Sequence, residues 1–444
     1  MLKTFPTGGV HPPENKLTAG CRIEVLPPPK SVVIPVSQHL GAPAVPVVNK
    51  GDKVIAGQLI AKATGFISAN IHSSVSGKVL KIDTHTDASG YKVTSIFIDV
   101  EGDEWEPGIM KSTEPIKEIK LNREEIIQKC LDSGIVGLGG ATFPTHVKLK
   151  IPSGRKCDLL IINGVECEPY LTSDHRLMLE KGEEIITGTR IIMKALGVEK
   201  AVIGIENNKQ DAISLLRRLT GKNGDISVQA LKVKYPQGGE KQLIKAITGR
   251  EVPSGKLPLD VGVIVQNAGT AYAVYEAVQK NKPLVERVVT VTGKSISRPG
   301  NYLVRIGTPV SVLIEAAGGI PDNTAKIISG GPMMGKALAN TQVPVVKGTS
   351  GLLVFNEGES ERKDYGPCIR CSKCISVCPM GLEPYLLMTL SRKVLYDKAG
   401  ENRITDCIEC GSCSYTCPAY RPLLDYIRLG KSAVIKMLRE KSMK

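Results

Sequence analysis

Four patterns of apolar and polar positions follow one another along the 444 residues. Up to about residue 110, short apolar runs are cut by proline, glycine and lysine, as in Ser31–Pro35, Val45–Val48 and Ser95–Val100. Runs of this length between turn formers predict β-strands, and so a small all-β module over 1–110. Between 111 and 284 the period changes. Asn122–Leu131, with Asn122 as cap, Asp211–Leu219 and Glu240–Ile247 space their apolar residues as helices do, whereas Asp158–Ile162 and Ala201–Ile205 are buried-strand runs. Strands alternating with helices predict an α/β domain on a largely parallel sheet. From 285 to 355, strands at Val288–Thr292, Tyr302–Arg305 and Lys326–Ile328 surround one helix near Val310–Ala317, a small α+β unit. A polar linker, Asn356–Asp364, opens a last unit at 356–444 with helical stretches near Leu382–Leu395 and Leu423–Lys444.

Twelve cysteines change this picture most. Eight form two copies of one run: Cys368-x2-Cys371-x2-Cys374-x3-Cys378-Pro379 and Cys407-x2-Cys410-x2-Cys413-x3-Cys417-Pro418. Three closely spaced thiolates hold one [4Fe–4S] cluster, and the fourth of each run ligates the other cluster. That spacing assigns Cys368, Cys371, Cys374 and Cys417 to one cluster and Cys378, Cys407, Cys410 and Cys413 to the second. Structural zinc uses other spacings. The helical stretch between the runs points to an α-helical ferredoxin arrangement. Cys21, Cys130 and Cys157 read as small buried hydrophobes.

Composition adds exclusions. Aromatic residues make up 4% with a single tryptophan, which argues against a stacking surface for single-stranded nucleic acid. The formal charge of +14 is reduced once cluster thiolates are counted. Lysine and arginine form no dense block, so a solvated basic face is expected, with docking to an acidic redox partner or an anionic membrane second. No apolar run reaches the roughly 18 residues of a membrane-spanning helix, and the first residues lack the apolar stretch of a secretory signal. The expectation is a soluble chain on the cytoplasmic side, not a secreted disulfide scaffold. The basic amphipathic tail, Leu423–Lys444, is expected to pack on its own module or on a partner subunit in preference to lipid.

The loop Ser133–Lys148, with Gly137, Gly139 and Gly140 before a lysine, suits an anionic group, since glycines admit close backbone approach and amides meet the charge. It follows neither P-loop nor dinucleotide-fingerprint spacing. Three further segments follow in order: Asn163–Tyr170, Tyr235–Lys241 and Val265–Thr270.

These segments resemble, in sequence and order, the flavin site of the NADH-oxidising subunit of respiratory complex I. They are closer still to the C component of Rnf-type ferredoxin:NAD oxidoreductases. Gly307-Thr308-Pro309, Gly330–Gly335 and the doubled cysteine run fit the same family. The stretch Asn49–Ile60 with Ser76–Val79 resembles one face of a biotinyl/lipoyl-type barrel, but Ala63–Ser74 carries no lysine for a swinging arm. The fold class implied is multidomain α/β: a β barrel-sandwich, an FMN/NADH-binding α/β domain, a β-grasp-like unit and a helical dicluster ferredoxin module.

By this resemblance Gly137, Gly139, Gly140 and Lys148 cradle the phosphate of a non-covalent FMN. Asn163, Glu166, Gly238, Gly239, Asn267 and Thr270 line its ribityl chain and ring, the last two from a loop closing over the flavin. Phe143 and Glu168 meet the NADH, with Glu240 near both ligands, and Glu168 disfavours a 2′-phosphate. No residue is expected to act as a catalytic acid or base, because the flavin itself carries hydride. Leu138 and Val165 depart from the complex I pattern, which has arginine and aspartate there. The implied function is exchange of hydride between NAD(H) and FMN and of single electrons between FMN and the clusters. It belongs to a peripheral subunit of a membrane-bound, ion-translocating complex, with membrane-embedded and ferredoxin-like partner subunits. The cobalamin reductase of propanediol-degrading microcompartments resembles the same loop and clusters, and a flavin-free electron carrier is the rival of another class.

Overall fold

The computed structural model describes residues 2–221 and 224–442. The last two residues of the tail therefore lie outside it. In the first unit, Ser31–Pro35, Lys92–Val100, Gly77–Thr86 and Lys53–Val54 form one antiparallel sheet, and Val45–Pro46, Leu59–Lys62 and Ile71–His72 a second. The strand at Val45 is shorter than its apolar run, ending at Pro46 because proline has no amide for the ladder. Val32, Ile34, Ile60, Ile71, Val79, Ile96 and Ile98 meet between the sheets, the core expected of a barrel-sandwich.

The second unit is a four-stranded parallel sheet in the order Ile226–Leu231, Ala201–Glu206, Leu159–Asn163, Val263–Asn267. Successive residues of a strand point to opposite faces, and both faces are covered here. Leu160, Ile162 and Ile264 enter one core with the helices Gly182–Leu196 and Ala268–Lys280, while Ile161, Val263 and Val265 enter another with the helix Glu240–Thr248. The chain runs outward from Leu159–Asn163 in one direction and returns to its other side at Val263–Asn267. Strand order therefore reverses between these two, and ligands of open α/β sheets bind at the carboxyl ends of such a switch point. Helix Arg123–Asp132 starts as expected, with Asn122 and Glu125 capping each other's amides.

The third unit departs from the linear division of the chain. Its six-stranded mixed sheet runs Ile23–Val25, Gly300–Arg305, Glu286–Thr292, Gly351–Asn356, Thr324–Ser329, Lys336–Ala337, so its first strand comes from the N-terminal segment and not from 285–355. The preceding residues form an arm across the other units. Lys3 pairs with Leu231, Phe5 is buried, the Gly9 amide donates to the Val377 carbonyl at 2.9 Å, and Val10 pairs with Tyr235.

After Asn356 no strand occurs among the described residues. Short helices at Lys373–Ser376, Pro384–Arg392, Tyr396–Glu401 and Ser412–Thr416 pack with the long helix Leu423–Ser442 around Leu387, Met388, Ile404, Leu423, Ile427 and Val434. The basic tail thus buries its apolar side in its own module. No helix among the described residues is long and apolar enough to cross a membrane.

Candidate functional site

The glycine loop follows the helix Arg123–Asp132 and folds back on itself. The Gly137 amide donates to Phe143 O at 2.9 Å and the Thr145 amide to Ile135 O at 3.0 Å. Ile135, Val136 and Leu138 are buried, which anchors the loop, while Gly139 and Gly140 are exposed at its tip. Gly140 has φ +108° and open space where a Cβ would stand. A Cβ on Gly139 would lie 3.4 Å from Asn267, so the tip sits beside the sheet's switch point.

Asn163 and Asn267 are the last residues of the two strands flanking that point and are register partners. Asn163 Nδ2 donates to Gly238 O at 2.8 Å and Asn267 Nδ2 to Asp174 Oδ2 at 2.6 Å. Lys148 Nζ reaches Glu240 Oε1 at 2.7 Å and Val265 O at 3.1 Å, with both side chains partly open to solvent. Gly238 packs on Cys167, and the Gly239 amide donates to Pro236 O at the head of the helix that Glu240 opens. Phe143 is half-buried on the returning side of the loop. Glycine tip, lysine–glutamate pair and asparagine pair therefore gather at the carboxyl end of the sheet's switch point.

Three of the expected groups are engaged by the protein's own framework. Val265–Thr270 is not a closing loop but the end of a strand and the first turn of helix Ala268–Lys280, capped by Asn267. Thr270 is fully buried there, and its Oγ1 accepts the Leu138 amide at 2.9 Å, so it holds the glycine loop from a buried position. Glu166, at φ +46°, accepts bonds from the Asp174 and His175 amides and the Ser173 hydroxyl, which makes it the anionic cap of helix Ser173–Glu180. Glu168 is half-buried and already engaged by its neighbours. It accepts the Met333 amide at 3.1 Å and the Tyr235 hydroxyl at 3.4 Å, and Gly331 of the third unit lies against it.

Burial raises the Glu168 carboxyl from 4.5 to about 7, with the Met333 and Met334 amides, Lys16 and Tyr235 pulling the other way. A carboxyl so raised contributes stability that is complete below pH 4.5 and is lost as pH rises through about 7. The midpoint of thermal unfolding is therefore expected to fall more steeply across that window in the wild-type chain than in Glu168→Gln. Parallel pH curves for the two would remove Glu168 as the titrating group.

Sequence reasoning missed the groups that hold the acidic segment. Lys16 donates to the carbonyls of Glu166, Glu168 and Leu171, and Lys209 to that of Val165 at 2.8 Å. Burial, then the charge of Lys209, lowers Lys16 to about 8. Asp174, under Asn267, is raised to about 7 by burial and by Glu166. Lone charged residues in polar stretches carry no local signal of such roles.

The eight cysteines of the two runs fall in two groups. Cys378, Cys407, Cys410 and Cys413 line one pocket with about 380 Å³ of atom-free space, walled by Leu382, Leu387, Leu424 and Ile427. Burial pushes the Cys407 thiol up to about 11, and Cys410 and Cys378 add to the effect. Burial also raises Cys374, with Cys417, Cys368 and Cys371 as the thiols around it. No three ligands close on a single ion among the described residues, and a cube of iron and sulfide needs a wider ring. Amides of Leu382 and Glu409 point at the sulfurs of Cys378 and Cys407, both at 3.4 Å, suiting thiolates that share cluster charge. The Cys378 pocket abuts the second unit: the Tyr235 hydroxyl donates to Cys410 O at 2.8 Å, and Gln242 Nε2 to Pro379 O at 3.3 Å. Cys368 and Cys371 are exposed.

Comparison with known proteins matches this order unit by unit. Residues 3–103 match the RnfC barrel sandwich hybrid domain, 130–276 the Nuo51 FMN-binding domain, 288–337 the SLBB domain and 360–418 a 4Fe-4S dicluster domain. The C component of the proton-translocating ferredoxin:NAD(+) oxidoreductase complex of Clostridium ljungdahlii is 49% identical over 435 residues, 97% of this chain and 94% of that one. The Na(+)-translocating counterpart of Acetobacterium woodii is 46% identical over 98% of both chains. The C component of the ion-translocating oxidoreductase complex of Rhodobacter capsulatus is 45% identical over 86% of this chain and 73% of that one. Among solved structures, a chain of an NAD+-reducing nickel–iron hydrogenase shares the fold at 19% identity, with a TM-score of 0.53 over 72% of this chain and 65% of its own length. With near-full-length identity to such relatives and all four units in their order, the chain belongs to the RnfC family, the C components of ion-translocating ferredoxin:NAD(+) oxidoreductase complexes.

Proposed function

We propose that this chain is the NAD-reactive flavin–iron–sulfur subunit of a membrane-associated ferredoxin:NAD(+) oxidoreductase complex. One observation carries the reading: the exposed glycine tip, the Lys148–Glu240 pair and the Asn163–Asn267 pair gather at the sheet's switch point, in the unit that the four-thiol pocket abuts. Gly137, Gly139, Gly140 and Lys148 hold the FMN phosphate, whose charge is met by the amides at the exposed tip and an ammonium. Asn163, Gly238, Gly239 and Asn267 border the ribityl chain and ring. Phe143 and Glu240 lie on the side open to NAD(H), while Glu166, Glu168 and Thr270 keep the framework in place. Bound FMN supplies the change from two-electron to one-electron chemistry, and the two [4Fe–4S] clusters supply one-electron carriage. The protein's part is to orient the cofactors and to exclude water; no side chain is required to move a proton during hydride transfer.

The Cys378 set lies against the flavin unit, so the set with exposed Cys368 and Cys371 is the one open to a partner within the same complex. The chain sits peripherally on the cytoplasmic face, held by contacts with its partners, since its amphipathic tail is already buried against its own module. The test is anaerobic purification with quantification of FMN, iron and sulfide, followed by addition of NADH. About one FMN and about eight irons per chain, with NADH bleaching the visible spectrum, is the expected result. Eight irons without flavin or bleaching would leave a cluster-only carrier.

A further inference from the structure

The rear of the glycine loop is held by the third unit and by the segment that leads into it. The Leu284 amide donates to Ser133 O at 3.0 Å, and Gly348 lies so close to Thr142 that a Cβ there would meet its Cγ2 at 2.8 Å. Between these contacts stand two buried cations. Lys347, 1% exposed, donates to Gly134 O at 2.7 Å and to Asn70 O at 2.8 Å. Arg287, 6% exposed, donates from Nη2 to Leu138 O at 3.2 Å and from Nη1 to Lys347 O. Neither forms an ion pair with a carboxylate among the described residues, although the charges of Asp174 and Glu166 act on Arg287. Burying a cation without a paired carboxylate is costly, so a fold that retains two behind one loop has a use for their charge.

The use follows from the peptide unit. Leu138 O and Gly139 N–H belong to one trans peptide and point in opposite directions. The guanidinium that holds the Leu138 carbonyl inward therefore turns the Gly139 amide outward, at the exposed tip beside Asn267. It also polarises that amide toward an anion on the far side. We propose that Arg287, backed by Lys347, is a positioning residue for flavin phosphate recognition, supplied to the second unit's loop by the third. The inference rests on the reading of Gly137–Gly140 as the phosphate loop.

The test separates a positioning role from general damage by comparing FMN with riboflavin, which lacks the phosphate. Both flavins are titrated by fluorescence quenching into the full-length, flavin-stripped protein. The wild type should prefer FMN. Arg287→Met is expected to weaken FMN binding about ten- to a hundred-fold while leaving riboflavin binding unchanged, the range for loss of one charged hydrogen bond. Arg287→Lys keeps the charge with a single donor group and should fall between; it decides the matter if the methionine variant fails to fold. Lys347→Met should shift the preference in the same direction. A parallel loss of both flavins, or an unchanged preference in both Arg287 variants, overturns the inference and leaves the loop reading standing. A wild-type chain that binds FMN no better than riboflavin overturns the loop reading itself, and the inference with it.

Discussion

Cys378→Ala is expected to halve the iron of the anaerobically purified chain, from about eight to about four per chain, by emptying the pocket formed with Cys407, Cys410 and Cys413. The residue belongs by position to the first cysteine run and by geometry to the second, which makes it the sharpest probe of the crossed arrangement. Adding Cys410→Ala should remove no further iron, because both thiols serve one cluster. Adding Cys374→Ala should remove the rest. Loss of all eight irons in the Cys378/Cys410 double variant would show that each run serves its own cluster. Flavin should persist in every soluble variant, since its loop lies in another unit.

Gly140→Val is expected to reduce FMN to less than about a tenth per chain, to abolish bleaching by NADH and to leave iron near eight. No neighbour would collide with the new Cβ, so the effect arises from the backbone. A φ of +108° is disfavoured for any residue with a side chain and most for a β-branched one, at a cost of roughly 1–3 kcal/mol. Relaxation would turn the tip and withdraw the amides beside it, and the isopropyl group would stand where the phosphate is expected. Full FMN occupancy in this variant would detach the loop from the flavin site.

Much of this organisation was legible because it is written in local patterns. The capping pair at Asn122 and Glu125, the apolar spacing of Glu240–Ile247 and the two cysteine runs each depend on residues a few positions apart, where sequence and geometry are tightly linked. The remainder depends on long-range pairing. Ile23–Val25 joins a sheet whose neighbouring strand is Gly300–Arg305, and nothing within the three residues announces it. Arg287 and Lys347 look like ordinary surface cations until the third unit folds onto the glycine loop. Glu166 illustrates a different difficulty. A glutamate in a motif shared with flavoproteins reads as a ligand-facing group, yet the amides it accepts begin eight residues later, where its role as a helix cap is hidden by the intervening turn.

The N-terminal arm has a consequence for the order of events in making the protein. Its partners lie far along the chain, at Leu231 and Tyr235 in the second unit and at Val377 in the cysteine module. Contacts between such distant parts of a chain close late, after the intervening units have formed. The arm is therefore a seal laid over the finished body. It bridges the second unit and the cysteine module only once both exist, so a nascent chain stopped before residue 377 can fasten the arm at Leu231 and Tyr235 but lacks its hold on the cysteine module.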